Sequence, residues 1–383
     1  MSRHAEIAGG GIGGLSLATM LARSGWSVRV HERGAAIREA GTGIFLKNNM
    51  VEVLEEVGIF DDLRSTSLHL ENSITRSHEG TVTGTRPLAG SARLYATARQ
   101  NVIQSLYGHA VASGVEVVLG SPVAGADPAG ALLLAGGERL EADLVVGTDG
   151  VNSKVAAAVG GVRTVRKLPT VINRYMLQTR EIAETPDMVE HWSGRYRVAT
   201  APCGEDLTYA FQVYPEADAA AAAAPTDMTA WQRAFPRLHP LFDLMSEQQP
   251  IRSNYLVVQA SSWHRGRVAI LGDAAHGMPP TLGQGAGMTV LNARALVAVL
   301  ARAESVESAL PLWEGAVRNI ADTTQRWAMR YDLVTRSWPR PLRFLRPGAL
   351  WAMRSVPQVS SRMFIADRGL RSTTLEVEPF PTA

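Results

Sequence analysis

Hydrophobic and polar residues follow two different patterns along the chain, and each pattern predicts a different kind of structure. A short apolar run at residues 5–8 predicts a buried strand, and helical spacing from Leu15 to Ser24 follows it. Residues 27–32 predict the next strand. A strand, a helix and a strand in this order favour a parallel sheet covered by helices.

Two further apolar runs, at 144–147 and 267–271, predict strands that each lead into a Gly-Asp or Asp-Gly turn. Between them, residues 170–260 alternate polar and apolar side chains and contain many aromatic residues, which is typical of an antiparallel sheet. Helical spacing returns at 285–300 and at 308–330. The chain therefore predicts an α/β fold with an antiparallel sheet inserted into it.

Composition does not indicate a function, but it argues against several classes of site and partner. The formal net charge of the 383 residues is +2, which gives no case for nucleic-acid binding. Cys203 is the single cysteine, so we expect no intrachain disulfide and an inert buried thiol. The histidines lack metal-ligand spacing, so we expect no metal. No secretion signal or spanning segment is recognisable, and we expect a cytoplasmic protein.

The first motif that carries chemistry is Gly9-x-Gly11-x-x-Gly14, which lies between the first strand and the first helix. We expect Gly9 to form the tight turn, Gly11 to let backbone N–H groups approach a pyrophosphate, and Gly14 to let the helix pack against the strand. Glu32 ends the second strand, where a carboxylate binds ribose hydroxyls. This arrangement predicts a dinucleotide site, and it does not distinguish FAD from NAD.

Two other turns follow strands in the same way. Asp149-Gly150 by itself is as consistent with a simple turn as with a ligand site. Gly272-Asp273 is followed by a proline loop and a helix that begins with small residues, so backbone can lie close to a flat ligand at a positive helix end. The candidate contacts in this segment are Gly272, Asp273, Pro280, Gly283, Gly285 and Ala286. We expect nearby His276 to be structural, as a cap for backbone groups.

With these three motifs in this order, the chain resembles the class A flavoprotein monooxygenases over about residues 5–330. The resemblance implies non-covalent FAD, with Glu32 on the adenosine ribose and Asp273 on a ribityl hydroxyl. It also places Arg99 near the pyrophosphate and the loop around Gly43 beside the isoalloxazine. Arg33, which follows Glu32, and Asp149 complete the candidate cofactor contacts.

The fold that the resemblance implies is that of para-hydroxybenzoate hydroxylase: a Rossmann-like FAD-binding domain with an inserted antiparallel substrate domain. The expected boundaries are 1–70, 95–165 and 262–335 for the FAD-binding domain, 71–94 and 166–261 for the substrate domain, and 336–383 for a C-terminal helical tail. Between Thr335 and Ser372 the chain holds eight arginines and one acid, Asp367. We expect this part to pack on the body or join a subunit contact, with peripheral binding to an anionic membrane as the alternative.

In motif detail the chain resembles the branch that oxidises 3-hydroxypyridine carboxylates. Gly287 and Asn292 match that branch, and so does the spacing of Arg197 and Tyr209. The resemblance implies that Arg197 pairs with a substrate carboxylate or phenolate. Tyr209, on the other strand of a hairpin, is expected to lie near it and to donate a second hydrogen bond to the same oxygen.

The implied reaction is hydroxylation of a small hydroxylated aromatic or N-heteroaromatic ring with NAD(P)H and O₂. Oxygen would be transferred from flavin C4a, so we expect no catalytic side chain. Because the chain has only one GxGxxG, NAD(P)H is expected to bind transiently in a surface groove. Two alternatives stay open. One is an FAD-dependent reductase or dehydrogenase of the same fold, and the other is a non-catalytic FAD-binding scaffold.

Overall fold

The computed structural model describes residues 2–38, 41–183, 185–222, 226–336, 338, 345–373, 375 and 380. The strands are β1 (His4–Ala8), β2 (Ser27–Glu32), β3 (Gly43–Lys47), β4 (Ser67–Leu70), β5 (Asn72–Ser77), β6 (Val82–Pro87), β7 (Leu94–Ala98), β8 (Glu116–Leu119), β9 (Val123–Asp127), β10 (Ala131–Leu134), β11 (Arg139–Glu141), β12 (Leu144–Gly147), β13 (Arg163–Leu177), β14 (Asp187–Ser193), β15 (Tyr196–Pro202), β16 (Thr208–Pro215), β17 (Ile251–Ala260), β18 (His264–Arg265) and β19 (Val268–Ile270).

The helices are α1 (Ile12–Arg23), α2 (Asn48–Glu56), α3 (Phe60–Arg64), α4 (Arg99–Ala112), α5 (Ala156–Val159), α6 (Met228–Ala234), α7 (His239–Ser246), α8 (Asp273–His276), α9 (Gly285–Arg302), α10 (Val306–Arg336), α11 (Arg346–Ser355) and α12 (Pro357–Met363). Short 3₁₀ segments lie at Gly90–Ala92, Pro280–Leu282 and Ile365–Ser372. Among the described helices, none is long and apolar enough to cross a membrane.

The sheet at the centre of the nucleotide-binding part has six strands in the order β18-β19-β12-β1-β2-β8. All neighbours except β18 and β19 are parallel, as the β1–α1–β2 pattern predicts. The strand predicted at 267–271 is shorter, because only Val268–Ile270 pair in the ladder. Helices α1 and α9 contact each other beside this sheet, and both contribute buried side chains to the largest core.

The inserted sheet has seven strands in the order β17-β13-β16-β15-β14-β5-β6. Its neighbours are antiparallel except for β14 and β5. The alternating pattern predicted this sheet from residue 170, and β13 in fact begins at Arg163. A separate antiparallel sheet, β3-β7-β4, lies next to it and contacts β13, β15 and β16.

The two faces of the seven-stranded sheet carry different sets of side chains. Its outer face packs Tyr175 and Tyr214 against an aromatic cluster of α6 and α7 that includes Trp231 and Phe242. We call the opposite side the inner face. It is defined on the two central strands by Arg197, Ala199, Ala201, Tyr209, Phe211 and Val213, which the β15–β16 register places together.

The described part of the C-terminal segment is helical and packs on the body. Helix α12 contacts α10, and Ile365–Ser372 contacts α2 and α9. Residues 337, 339–344, 374, 376–379 and 381–383 of the predicted tail lie outside the described residues. Asp367, the one acid of the arginine-rich stretch, is buried against Lys47 at the end of β3.

Candidate active site

The three glycine-acid motifs meet at one edge of the six-stranded sheet. Strands β1, β12 and β19 are parallel neighbours, so the turns that follow them leave from the same carboxyl edge. Gly9 lies directly against Thr148: a Cβ at Gly9 would be 2.8 Å from the Thr148 carbonyl oxygen. Thr289 of α9 lies between Gly13 and Gly272, and so joins the first turn to the third.

Each glycine of the first motif has a distinct surrounding. Gly9 has a φ of +103°, which side-chain-bearing residues rarely adopt, so it forms the turn. A Cβ at Gly14 would overlap the Gly9 carbonyl oxygen, so this position admits no side chain. At Gly11 no protein atom lies within 4 Å of such a Cβ. The open space at Gly11 fits a phosphate at the N-terminus of α1.

The Glu32 carboxylate is fixed above this turn by backbone groups. One oxygen accepts a 2.9 Å hydrogen bond from Gly10 N–H, and the other accepts a 2.8 Å bond from Gly34 N–H. Each carboxylate oxygen can accept a second bond, so both can still take ribose hydroxyls. Arg33 is exposed beyond the end of β2.

The Asp149-Gly150 turn is held by its own side chain. Asp149 Oδ2 accepts hydrogen bonds from the Lys154 and Val155 amides, at 2.6 and 3.3 Å. Its Oδ1 is buried and has no hydrogen-bond partner among the described residues. Arg163 ties this turn to the third motif, because its guanidinium donates to the carbonyls of Val151 and Ala274.

The third motif ends in a helix start that is open to a ligand. Gly272 has a φ of +67° and precedes α8, which begins with Asp273. Gly283 is left-handed at the end of the Pro280–Leu282 turn, and α9 begins two residues later. A Cβ at Gly285 would meet no protein atom within 4 Å. Open glycines at two helix starts and an unsatisfied buried Asp149 oxygen fit a bound dinucleotide.

His276 is buried and faces the protein interior. Its Nε2 accepts a 2.7 Å hydrogen bond from the Asn292 side-chain amide, and its ring lies 5.1 Å from the Trp263 ring. Burial lowers the pKa of His276 to about 4, so the ring is neutral at physiological pH. The partner of the buried ring is an amide side chain, where we expected backbone groups.

Gly43, Arg99 and Tyr209 come together where the inner face meets β3. Arg99 N–H donates to the Thr42 carbonyl at 2.8 Å, and Gly43 pairs with Ala98 in the β3–β7 ladder. The Tyr209 ring packs on the Gly43 backbone so closely that a Cβ there would overlap it. Burial raises the pKa of Tyr209, while Arg174 and Arg99 oppose the rise. The hydroxyl is therefore a proton donor at neutral pH.

Arg197 lies further along the inner face and already has an anionic partner. Its Nη1 is 3.1 Å from the Glu190 carboxylate of neighbouring β14, and its guanidinium lies 5.7 Å from the centre of the Trp192 ring. Burial opposes its charge, but Glu190 raises its pKa above the usual range, so Arg197 is cationic. Tyr255, Tyr331 and Asp332 act in the same direction.

The expectation that Arg197 and Tyr209 lie near each other is wrong. Arg197 pairs with Val213 and Tyr209 pairs with Ala201, so four residues separate them along the ladder. They share a face, but that separation is about 13 Å at 3.3 Å per residue. The hairpin pattern gave the correct face and not the register. We therefore do not expect one substrate oxygen to bind both side chains.

The comparisons with known proteins agree with this geometry. A family model described as "FAD binding domain" matches residues 4–312. The chain belongs to this FAD-binding family. A 2-heptyl-3-hydroxy-4(1H)-quinolone synthase of Mycobacteroides abscessus is 36% identical over 366 residues, which cover 92% of this chain and 96% of the relative. A 6-hydroxynicotinate 3-monooxygenase of Bordetella bronchiseptica is 28% identical over 311 residues, covering 76% and 81%.

Solved structures give the same result for the fold. A tetrameric 2-methyl-3-hydroxypyridine-5-carboxylic acid oxygenase matches with a TM-score of 0.84 and 32% identity, covering 96% of each chain. The relatives and structural neighbours are flavin-dependent monooxygenases, and this protein is a flavin-dependent aromatic monooxygenase that binds FAD. The resemblance inferred from the motifs is confirmed at the level of family and fold.

Sequence reasoning also missed a buried ion pair between Lys47 and Asp367. Lys47 Nζ is 3.1 Å from an Asp367 oxygen and donates to the Leu282 carbonyl of the proline loop at 3.3 Å. Gln284 donates to the same carboxylate and accepts from Asn49. The signal for Lys47 was a charge at the end of the apolar strand Gly43–Lys47, and nothing local indicated its partner 320 residues away.

Glu190 was missed for a similar reason. It takes one of the two buried positions of β14, and nothing local indicated that the acid would pair with Arg197 of β15. Cys203, in contrast, is as expected: it is buried, and burial raises the pKa of its thiol to about 11. No cluster of three or more metal-ligating side chains occurs in the part of the chain that the structure describes.

Proposed function

We propose that the protein uses NAD(P)H and O₂ to hydroxylate a neutral N-heteroaromatic ring of the 4-quinolone class. The balanced reaction is ring–H + O₂ + NAD(P)H + H⁺ → ring–OH + H₂O + NAD(P)⁺. The observation that carries the proposal is the 36% identity, over 92% of this chain, with a relative whose name gives a 3-hydroxylated 4-quinolone. Two further relatives, both of Rhodococcus erythropolis, bear the same functional name.

The chemistry of the ring suits the fold. In a 4-quinolone the ring nitrogen donates electron density through C2 to C3, so C3 is the carbon that attacks an electrophilic oxygen. Bound FAD, once reduced, supplies that oxygen from O₂. The protein has to hold C3 toward the flavin and keep water out.

The residues that would hold the cofactor are those at the three turns. Glu32 would bind the adenosine ribose, the backbone N–H groups beside the open space at Gly11 the pyrophosphate, and Asp273 a ribityl hydroxyl. Arg99, at the start of α4 and next to Gly43, would face the same pyrophosphate. These assignments follow the family pattern, and the open glycines and the Glu32 geometry support them.

The inner face would hold the substrate. Arg197 can donate a hydrogen bond to the C4 oxygen of the ring and so hold C3 in position for the reaction. Trp192 and Phe211 offer aromatic surface on the same face of the sheet. Trp192 belongs to an apolar cluster that includes Leu282 and Met363, and a cluster of this kind suits an alkyl substituent of the ring.

The test is NAD(P)H oxidation by the FAD-loaded protein with and without 2-alkyl-4-quinolones, followed by mass spectrometry of the product. We expect stimulated oxidation and one ¹⁸O atom from ¹⁸O₂ in each hydroxylated ring. Turnover that continues without O₂ would instead favour the reductase or dehydrogenase alternative. FAD that NAD(P)H never reduces, with any ring present, would favour the non-catalytic scaffold.

The cosubstrate site is a separate part of the proposal. The chain has one GxGxxG motif, and its acid, Glu32, would repel a 2′-phosphate. NAD(P)H therefore has to reach the flavin from outside the FAD site. Comparing flavin reduction rates with NADH and NADPH in a stopped-flow instrument decides which cosubstrate the protein uses.

A further inference from the structure

The Arg197–Glu190 pair is a side-chain arrangement that the family motifs do not include. Glu190 lies on β14 directly opposite Ala199 of β15, and its carboxylate reaches back to Arg197 at 3.1 Å. Both residues are buried: Arg197 is 6% exposed and Glu190 is 8% exposed. A buried guanidinium and a buried carboxylate at this distance together carry no net charge.

The inner face, on which the pair lies, contacts the Gly43 loop and the proline loop of the expected FAD site. At one end of this face, Tyr209 packs on the backbone of Gly43. At the other end, Trp192 shares an apolar cluster with Leu282 of the proline loop. Arg197 lies at this second end, because it pairs directly with Trp192 in the β14–β15 ladder and its guanidinium is 5.7 Å from the centre of the Trp192 ring. A ring bound on the inner face beside the proline loop would therefore meet the pair.

The residues around the pair show that Glu190, and not a neighbouring acid, neutralises Arg197. Asp332, the other carboxylate that acts on Arg197, already accepts from Thr170 Oγ1 at 2.9 Å and from Arg336 at 3.3 Å. Arg346 lies over the same Trp192 ring, at 5.0 Å, but it is only partly buried and its guanidinium donates to the Gly194 carbonyl at 2.6 Å, so it is not part of the buried pair. Glu190 is thus the carboxylate in direct contact with Arg197 among the described ion pairs.

We propose that Glu190 cancels the charge of Arg197 at the substrate wall, so that the site accepts a neutral ring and discriminates against a ring carboxylate. A carboxylate ligand on Arg197 would lie beside a second carboxylate in a region of low dielectric, and the two anions repel strongly there. A neutral ring carbonyl accepts a hydrogen bond from Arg197 without that repulsion. The proposal rests on the proposed function, because it concerns the substrate of the same site.

The experiment compares the binding of two flat rings to FAD-loaded protein: 4-quinolone and quinoline-4-carboxylate, followed by the change in flavin absorbance or fluorescence. For the wild type we expect the 4-quinolone to bind at least ten times more tightly. Glu190→Gln keeps the size of the side chain and removes its charge. It should tighten carboxylate binding at least tenfold and weaken quinolone binding by less, so that the preference reverses.

Two further variants keep the test decisive if Glu190→Gln folds poorly. The double variant Glu190→Gln/Arg197→Gln leaves no unpaired buried charge, and it should not gain affinity for the carboxylate. Arg197→Gln alone leaves a carboxylate at the wall and should weaken carboxylate binding below that of the double variant. FAD content and circular dichroism identify any variant that has lost its fold.

The binding measurements can overturn the proposal in two ways. If the ratio of the two Kd values is the same in the wild type, Glu190→Gln and the double variant, Glu190 is a structural residue and the proposal is overturned. The same holds if the wild type binds the carboxylate more tightly than the quinolone. Because binding is measured without turnover, a protein that binds both rings as expected but hydroxylates neither refutes the proposed function alone.

Discussion

The cofactor side and the substrate side of this site are built from different parts of the chain. On the cofactor side, three turns at one sheet edge present backbone, and the glycines there have either no room for a side chain or open space toward the ligand. On the substrate side, side chains project from the inner face, and buried charges such as Arg197 and Lys47 occur in pairs. The first side tolerates almost no change of shape, and the second almost no change of charge.

This difference separates what specifies the family from what specifies the substrate. A backbone turn that binds pyrophosphate works for any enzyme that uses FAD, so it stays readable as a short motif. A side-chain wall depends on which residues the strand register places together, and a change of one charge alters its ligand. Substitutions that add a side chain should therefore affect the cofactor side most, and substitutions that remove a charge should affect the substrate side most.

The largest effect is expected at Gly14. Gly14→Val places a side chain in the Gly9 carbonyl and beside Thr148, where the helix α1 packs on β1. We expect no soluble, FAD-containing protein from this variant. Expression, flavin absorbance after gel filtration and far-UV circular dichroism measure the loss.

The matched control is Gly11→Ala, three residues earlier. Its Cβ would meet no protein atom, and the residue has an ordinary φ of −82°. We expect a normally folded protein whose thermal midpoint without FAD equals that of the wild type, and whose FAD affinity falls at least 100-fold. If Gly11→Ala binds FAD as tightly as the wild type, the open space at Gly11 is not the pyrophosphate site.

The Lys47–Asp367 pair should show the second-largest effect. Asp367→Asn leaves a buried cation beside the proline loop, and breaking a buried pair in this way costs about 3–5 kcal/mol. Denaturant unfolding measures this loss, and limited proteolysis reports whether the C-terminal segment detaches. Lys47→Met combined with Asp367→Leu removes the buried pair and should recover part of the stability, because Gln284 and Arg86 also lose their contact with the carboxylate. A double variant as unstable as Asp367→Asn would show that shape, and not charge, matters at this position.

Much of the fold could be predicted from the sequence because it rests on local patterns. The predicted β1, β2 and β12 agree with the structure within one residue, since the apolar runs are short and end in glycine turns. The face shared by Arg197 and Tyr209 followed from strand alternation. The ladder register that holds them about 13 Å apart did not, because no local signal counts the residues of a hairpin. Glu190 and Asp367 were missed, because their partners lie on other elements.

The third-largest effect is expected in the way that the free energy of unfolding depends on pH. Burial lowers the pKa of His276 from 6.5 to about 4, so the unfolded chain takes up a proton between these values while the folded protein does not. Stability is therefore fully present above pH 6.5 and is lost as the pH falls toward 4, by up to about 1.4 kcal/mol per pH unit. His191, whose pKa burial also lowers to about 4, adds to the slope.

His276→Gln tests this prediction through the slope of stability against pH. The substitution can keep an acceptor for Asn292 and removes the titrating ring. We expect a shallower fall in unfolding free energy between pH 6.5 and pH 4.5, whatever the stability at pH 7. An unchanged slope would mean that His276 does not titrate in the unfolded chain as assumed, or that it is protonated in the folded protein.

The smallest effect is expected from Tyr209→Phe, and it tests the register directly. The ring keeps its packing on Gly43 and loses only its hydroxyl, so we expect a loss of about 0.5–1.5 kcal/mol in stability and unchanged FAD content. If one substrate oxygen bound both Tyr209 and Arg197, the effects of Tyr209→Phe and Arg197→Gln on kcat/KM would be strongly coupled. Four residues of separation along the ladder predict instead that the two effects add within about 0.5 kcal/mol. A coupling energy above about 1 kcal/mol would mean that both side chains reach the same atom of the ring.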